Sequence, residues 1–278
     1  MQMKHPAPKL SVLIATFRPE GIRRVEKMRL PEMPDVEYVV SWQEHGDAPV
    51  PTSIANRNDI TVIRFDKKGV SRNRNNAIDH AKGEIMLMAD DDLTYTKSQL
   101  NAVIDTFDAN PETDYASFMY AGASHKTYPA TETGLGTLPR FFSQSCIEIA
   151  IRRNDRTASL RFNHDFGPGA PLLTAGEDEL FLLTARKKKL NCRFFPIVIT
   201  AHPQPSTGAR KINDPGILKA CGALIALSHP ATFIPRVAVN AFRIQKSKRA
   251  TTAKAFFHMT HGALFACFNH RIRKSLKP

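Results

Sequence analysis

A short apolar run from Ile85 to Ala89 ends in three consecutive acids, Asp90, Asp91 and Asp92. The run is long enough for a buried strand and too short for a helix. Because side chains alternate along a strand, Asp90 and Asp92 are predicted to share one face at its end. Two carboxylates held this close repel each other unless a cation lies between them. The pattern predicts a site for Mg²⁺ or Mn²⁺, and the alternative is a solvated acidic turn in which an Asp caps a helix.

The rest of the chain alternates between strand patterns and helix patterns. Apolar, β-branched runs predict strands at residues 10–17, 36–42, 60–65, 114–120 and 193–200, and polar or amphipathic stretches predict helices at 20–30, 72–82 and 97–109. Strands that alternate with helices form mainly parallel sheets, and ligands bind beyond the carboxyl ends of such strands. The chain is therefore predicted to be an α/β protein with its acids at a ligand-binding edge.

A second acidic run, from Glu177 to Glu179, begins an amphipathic helix pattern. Acids in the first turn of a helix are favoured by its dipole, so a structural role and a catalytic role both stay open for them. His202 follows the last predicted strand. It is a candidate metal ligand, and the alternative is a surface histidine with no specific role.

The net charge of +13 is unevenly distributed along the chain. No Asp or Glu follows Asp214, and residues 215–278 hold 11 Lys or Arg, which leaves 28 basic and 26 acidic residues in the rest. Five apolar residues of this tail fall near one helical stripe: Phe257, Leu264, Phe265, Phe268 and Ile272. A basic amphipathic helix suits an anionic membrane surface, and the alternative is a helix packed on the domain with a solvated basic face.

Cysteine spacing and apolar runs indicate the compartment. The four cysteines form no C-x-x-C pair, which argues against a zinc site or a disulfide framework and fits a reducing compartment. The first nine residues are polar, so no signal peptide is predicted. The sequence contains no run of 18 apolar residues, so no membrane span is predicted either. We therefore expect a cytoplasmic protein, peripheral on the inner face of the cell membrane if the tail binds lipid.

Four segments in the right order resemble family 2 glycosyltransferases with the GT-A fold, over roughly residues 9–205. Ser11–Phe17 is similar to the opening strand of the family, and Gly69–Gly83 to its segment of Gly, Ser, Arg and Asn. Asp90–Asp92 matches the D-x-D metal motif, and Gly176–Asp178 matches the Glu-Asp motif that supplies the catalytic base. One departure is the end of the second strand, which reads Val-Ser-Trp-Gln-Glu where family members usually carry aspartates.

The resemblance implies a GT-A domain at residues 1–205, with a mixed, mainly parallel sheet flanked by helices, and a basic helical C-terminal region at 206–278. It implies inverting transfer of a sugar from a nucleotide-diphosphate sugar, with a UDP-sugar favoured. The acceptor would be a saccharide or a lipid-linked saccharide, in bacterial polysaccharide or glycoconjugate biosynthesis. Acceptor choice is expected to reside in the loops at 122–140 and 161–171.

The resemblance also implies roles for individual residues. Asp178 is the implied base, and Glu177 positions the base or the acceptor. The implied ligands of Mn²⁺ or Mg²⁺ are Asp90, Asp92 and His202. The implied donor-binding residues are Thr16, Glu20, Trp42, Arg74, Asp90 and Asp91.

Two functions of other classes are weighed against this one. A nucleic-acid-associated protein would fit the basic tail, but residues 215–278 show no helix-turn-helix, zinc spacing or aromatic RNA-binding signature. A sugar nucleotidyltransferase shares the sheet type but needs a glycine-rich phosphate loop after the first strand, and Thr16–Gly21 is not one.

Overall fold

Eight strands form one mixed sheet in the computed structural model, which describes residues 7–122, 126–139, 142–202, 214–246 and 251–276. The strands are β1 (Leu10–Phe17), β2 (Val36–Gln43), β3 (Ile60–Phe65), β4 (Ile85–Asp90), β5 (Tyr115–Ala121), β6 (Thr133–Gly134), β7 (Ile149–Arg152) and β8 (Cys192–Ala201). Their order is β3-β2-β1-β4-β7-β5-β8-β6. β1 to β4 are parallel, as are β5 and β8, whereas β6 and β7 run antiparallel to their neighbours. The predicted mainly parallel α/β sheet is confirmed.

The helices lie between the strands and after β8. They are α1 (Pro19–Lys27), α2 (Thr52–Ala55), α3 (Val70–His80), α4 (Lys97–Ala109), α5 (Glu177–Lys187), α6 (Pro215–Ser228), α7 (Phe233–Lys246), α8 (Thr252–Phe268) and α9 (His270–Ser275). The described residues after β8 are mainly helical, as expected for the C-terminal extension. No helix within the described ranges is long and apolar enough to cross a membrane.

Contacts divide the chain into two units. The first comprises Met1–Lys68, Arg72–Leu160 and Lys189–Gln204, and the second comprises Gly69–Ser71, Arg161–Lys188 and Pro205–Pro278. The first unit therefore holds the whole sheet, and the second holds α5 to α9. The predicted domains, 1–205 and 206–278, assign residues 161–188 to the sheet domain instead, and that division stays a prediction.

The core of the first unit explains why β4 reads as a continuous apolar run. A strand in the middle of a parallel sheet is covered on both faces, so every residue from Ile85 to Ala89 is buried. Gly83 allows the chain to enter β4 close to β1. Its backbone N–H donates to Ser11 Oγ at 2.8 Å, and a Cβ at this position would lie 2.7 Å from the Ser11 nitrogen.

The core of the second unit depends on small residues between α6 and α8. A Cβ at Gly222 of α6 would overlap the carbonyl oxygen of Met259, and a Cβ at Gly262 of α8 would overlap that of Lys219. The two helix backbones therefore pack directly on each other at this crossing.

Candidate active site

The carboxyl ends of β1, β2 and β4 bring several predicted site residues to one edge of the sheet. β1 is parallel to both neighbours, with Thr16 opposite Trp42 of β2 and Ala15 opposite Asp90 of β4. Asp91 and Asp92 follow β4 directly. In open α/β sheets this edge is where ligands bind.

Asp91 is the most enclosed of the three acids. Its carboxylate accepts hydrogen bonds from Nε and Nη2 of Arg24, at 2.9 and 2.7 Å, and a third from the Thr16 hydroxyl. The hydrogen bond to Asp91 raises the pKa of Arg24 above its ordinary value. Gly21 makes room for this arrangement, because a Cβ there would overlap Thr16 Oγ1. Asp91 thus fixes the end of β1 to α1, and its direct contact with a donor stays a prediction.

Asp90 faces a different basic residue, Arg74 of α3. Arg74 Nη2 lies 3.1 Å from Asp90 Oδ1, and the side chains are 6% and 40% exposed. The guanidinium is therefore almost completely enclosed, while the carboxylate keeps contact with solvent. Arg74 reaches the strand edge as expected, where a carboxylate is its partner.

The polar face of α3 connects three strand ends, which the sequence analysis did not foresee. Asn73 Nδ2 donates to the Thr16 carbonyl of β1 at 2.8 Å, and Asn76 Nδ2 donates to Ser41 Oγ of β2 at 2.7 Å. Arg74, between them in sequence, reaches β4. The run of polar residues from Ser71 to Asn76 could have indicated these contacts. Polar groups that a helix buries against a sheet need hydrogen-bonding partners there.

Asp92 lies beside His202 because β8 pairs with the segment that follows β4. Thr94 and Ala201 exchange backbone hydrogen bonds of 3.0 and 3.1 Å. This pairing brings His202 Nε2 to 3.6 Å from Asp92 Oδ1. Burial raises the pKa of Asp92 above its ordinary value, His202 opposes the shift, and the charges of the two preceding aspartates add to it.

The predicted metal ligands are only partly assembled. Asp92 and His202 are close, whereas Asp90 engages Arg74. Within the part of the chain that is described, no group of three or more His, Cys, Asp or Glu side chains is placed to hold a metal ion. A carboxylate and an imidazole suit Mn²⁺, and a cation that binds a diphosphate needs only one or two protein carboxylates, with phosphate and water completing its shell. The donor set therefore fits a metal held jointly by the protein and a nucleotide.

A buried ion pair joins the loop after β5 to the short 3-10 helix η1 (Cys146–Glu148), and no local sequence pattern indicated it. Lys126 Nζ lies 2.6 Å from Glu148 Oε2, with side chains 6% and 0% exposed. The ammonium also lies 5.4 Å from the ring centre of Tyr120, whose edge faces His202. Within the predicted loop 122–140, Lys126 is thus held beside Tyr120, whereas β6 pairs with Arg193 and Phe194 at the start of β8, the opposite end of that strand from His202. Residues 123–125 and 140 lie outside the described ranges.

Trp42 and Glu20 differ in their exposure, and therefore in whether a ligand could reach their side chains. Trp42 is 0% exposed, and its Nε1 donates to the Arg18 carbonyl at 2.8 Å while Arg64 stacks over the ring. This burial argues against the predicted direct contact of Trp42 with a nucleotide. Glu20 is exposed and lines a surface cleft between the start of α1 and the segment 48–51.

In the second unit, Glu177 and Asp178 occupy the first turn of α5. Gly176, at φ 82°, precedes the helix in a conformation that favours glycine. Glu177 is buried, and its carboxyl group packs against Gly167, where a Cβ would lie 3.0 Å from Glu177 Cδ. Asp178 is half-buried, and Glu179 is exposed.

Residues 161–171, all of them described, form no helix or strand but are held by specific contacts within the second unit. Ser71 Oγ donates to the Phe166 carbonyl at 2.7 Å. Gly69 and Gly169, both at positive φ, approach closely, since a Cβ at Gly169 would lie 2.9 Å from Gly69 Cα. This predicted loop is therefore tied to the segment that starts α3.

Comparison with protein families gives a match for the middle of the sheet-forming unit. Residues 48–164 match the model described as glycosyl transferase family 2. This part of the chain therefore matches a family 2 glycosyltransferase domain. The match includes the segment Gly69–Gly83 and the three aspartates, whereas β1, the Glu177–Asp178 pair and His202 lie outside it. The match favours a glycosyltransferase over the nucleic-acid and nucleotidyltransferase alternatives.

Solved structures show the same fold as this family 2 glycosyltransferase domain. TarS 1-349 of S. aureus in complex with UDP is 16% identical, with a TM-score of 0.58, and the match covers 92% of this chain and 90% of that one. Its complex with UDP-GlcNAc gives 14% identity and a TM-score of 0.60, over 92% of this chain and 91% of that one. No curated protein sequence matches the chain. The likeness identifies the GT-A fold.

Proposed function

We propose that this protein is an inverting glycosyltransferase that moves a sugar from a UDP-sugar to an acceptor hydroxyl. The observation that carries the proposal is a strand edge in a domain that matches family 2, where Asp90 ends β4, Asp92 follows it and His202 lies beside Asp92. The UDP and UDP-GlcNAc complexes of TarS 1-349, which has the same fold, favour UDP as the nucleotide.

The residues of this edge would hold the donor by its diphosphate. Asp92 and His202, with Asp90 directly or through water, would hold Mn²⁺ or Mg²⁺. The cation supplies positive charge to the departing diphosphate. Arg74 would add a guanidinium, which suits phosphate oxygens, and Thr16 and Glu20 would lie nearest the nucleoside.

The chemical step requires a base for the acceptor hydroxyl. The hydroxyl oxygen bonds to the anomeric carbon, the bond from that carbon to the diphosphate breaks, and the hydroxyl proton passes to Asp178. The nucleoside diphosphate leaves with the bonding electrons. Asp178 is half-buried and can contact an acceptor, whereas Glu177 is buried and suited to positioning the base or the acceptor.

We further propose that the acceptor is a saccharide or a lipid-linked saccharide of bacterial polysaccharide or glycoconjugate biosynthesis. Loops 122–140 and 161–171 would select it. A lipid-linked acceptor would place the enzyme on the cytoplasmic face of the cell membrane.

Thermal unfolding with UDP, GDP, CMP or dTDP, each with Mn²⁺ and with EDTA, tests the donor site. UDP with Mn²⁺ should raise the unfolding temperature, because a ligand at about 100 times its dissociation constant adds roughly 2.7 kcal/mol to stability. Asp92→Asn should remove the metal-dependent part of the shift, whereas Asp105→Asn, at an exposed acid of α4, should keep it. Absence of a shift with all four nucleotides, or a shift indifferent to EDTA and to Asp92→Asn, would contradict the proposed site.

A further inference from the structure

Large apolar side chains are exposed on two helices of the second unit. Ile234 and Phe242 of α7 are each 63% exposed, and Phe257 and Phe268 of α8 are 66% and 83% exposed. Helices that pack on a domain normally bury their largest apolar side chains and expose small or charged ones. These two helices therefore present apolar surface that the unit itself does not use.

On α8 three of the four large exposed apolar residues form a line along the helix, and the fourth, Phe256, lies to one side of it. Phe257, Leu264 and Phe268 are spaced seven and four residues apart, which places them on one face. The buried residues of α8 are Ala255, Met259, Gly262, Ala263 and Ala266. Of the predicted stripe, Phe265 and Ile272 instead pack into the core, Ile272 from α9.

The crossing of α6 and α8 explains this distribution. Gly222 and Gly262 bring the two backbones into direct contact, so no large side chain fits at the point of crossing itself. Close packing through small residues, with large apolar residues turned outward, is the arrangement that helices adopt in contact with lipid.

On α7 the exposed apolar face is bordered by arginines. Ile234, Val239 and Phe242 are exposed, whereas the side of the helix that carries Val237 and Ala241 is buried. At 100° per residue, Arg236 and Arg243 fall at the edge of the exposed apolar arc. The helix therefore presents an apolar stripe with positive charge along one border.

The charge of these helices indicates which partner fits. The exposed basic residues on α7, α8 and α9 are Arg236, Arg243, Lys246, Lys254, Arg271, Arg273 and Lys274. No acid follows Asp214 in the sequence to balance them. Burial lowers the pKa of His258, and the nearby charges of Lys219 and Lys254 add to this shift. A second copy of this surface would bring like charges together, which is unfavourable.

We propose that the exposed faces of α7 and α8 bind the surface of an anionic lipid bilayer. Their phenylalanine, isoleucine and leucine side chains enter the boundary between headgroups and acyl chains, and the Lys and Arg side chains contact lipid phosphates. The proposal goes beyond the proposed transfer reaction and does not depend on it.

Co-sedimentation of the full chain with vesicles tests this proposal. Vesicles of phosphatidylglycerol and phosphatidylcholine in equal parts should bind the protein, phosphatidylcholine alone should bind it weakly, and high salt should release it. Replacing Phe242, Phe257 and Phe268 together by Ser should weaken binding at least about tenfold. The pair Arg236→Gln and Arg243→Gln should weaken it roughly fivefold for each charge removed.

Matched substitutions in the first unit serve as controls. Val198→Ser replaces an apolar residue that is 41% exposed, and Lys27→Gln replaces an exposed lysine of α1. Both should bind vesicles as the wild type does. All variants should keep the wild-type unfolding temperature, since the replaced side chains are exposed. Absence of vesicle binding, equal loss with the control variants, or a dimer that the triple Phe variant dissociates would overturn the proposal.

Discussion

The acidic run at the end of β4 and the acidic run at the start of α5 contain the same number of carboxylates, yet the fold treats them differently. Each carboxylate of Asp90–Asp92 meets a different basic side chain, from α3, α1 or the end of β8. In the second run Glu177 is buried against Gly167, Asp178 is half-buried and Glu179 is exposed. The first run meets basic side chains from distant parts of the chain, and the second begins a helix whose dipole favours acids locally.

This difference separates two ways of keeping acids at a site. Three adjacent carboxylates at a strand end repel one another, so they are stabilised by basic side chains from other elements. Burial and the two neighbouring carboxylates still raise the pKa of Asp92. Three acids in a helix point about 100° apart, so one turn gives them three different degrees of burial. The first arrangement suits binding a cation, and the second suits presenting one carboxylate as a base.

The largest expected effect is on catalysis, from Asp178→Asn. The amide cannot accept the acceptor proton, so the turnover number should fall about 10²–10⁴-fold, the usual contribution of a general base. The thermal shift with UDP and Mn²⁺ should stay as in the wild type. Acceptor-dependent release of UDP measures the rate.

Glu179→Gln is the matched control for that experiment, since it alters the exposed acid of the same turn. It should retain wild-type turnover. If Asp178→Asn turned over normally, the base would have to lie elsewhere. If both variants lost activity equally, turnover would depend on the total negative charge in the first turn of α5 and not on Asp178 as the proton acceptor.

The next effect is on stability, from Asp91→Ala in the first run. The change removes both hydrogen bonds to Arg24 and the one from Thr16, and leaves a partly buried guanidinium without its carboxylate. Because Arg24 is about one third exposed, water offsets part of the loss, and the free energy of unfolding should fall by about 1–3 kcal/mol. Urea unfolding measures it.

Asp108→Ala provides the exposed counterpart. Its carboxylate pairs with Lys9 at 2.6 Å, but both side chains are about half exposed. Water screens an exposed pair of this kind, so this variant should lose clearly less stability than Asp91→Ala. Equal losses would mean that Asp91 is not held as the structure indicates.

The strands and the site edge could be predicted because they depend on local pattern. The run from Ile85 to Ala89 is buried throughout, as its composition indicates, and the three acids follow directly. α4 begins and ends where predicted, with Thr96 and Gln99 forming a capping box at its start. Short strands such as β6 and β7 were not predicted, because they have two and four residues and carry too little pattern.

The partners of the site residues could not be predicted, because they come from distant parts of the chain. Nothing in the sequence near Asp91 indicates Arg24, which lies 67 residues away. The family resemblance implies that Trp42, at the end of the second strand, contacts the donor, whereas in the structure Arg18 and Arg64 pack against the buried indole. Local pattern locates a strand end, whereas the tertiary fold decides which side chains remain open to a ligand.

A smaller effect on stability and turnover is expected from Gly167→Ala, because Gly167 packs against Glu177 of the second acidic run. Gly167 has φ 98°, a conformation that costs other residues roughly 1–2 kcal/mol, and its new Cβ would lie 3.0 Å from Glu177 Cδ. Urea unfolding should show about that loss of stability, and turnover should fall as Glu177 moves. Gly136→Ala, where a Cβ meets nothing within 4 Å, should leave both unchanged. Wild-type stability and turnover in Gly167→Ala would argue against a positioning role of Glu177.

The smallest expected effect has the opposite sign and comes from Asp92→Asn without metal. Burial raises the pKa of Asp92, so the folded protein binds this proton more tightly than the unfolded chain, and the stability that results is present in acid and lost as pH rises through the raised pKa. At neutral pH the ionised carboxylate therefore costs stability that Asn avoids. Because the side chain is 42% exposed, the variant should gain only about 0.5 kcal/mol or less in EDTA near pH 7. Urea unfolding should show that this gain disappears near pH 4. A variant less stable than the wild type at both pH values would mean that the interaction of Asp92 with His202 outweighs the cost of burying the ionised carboxylate.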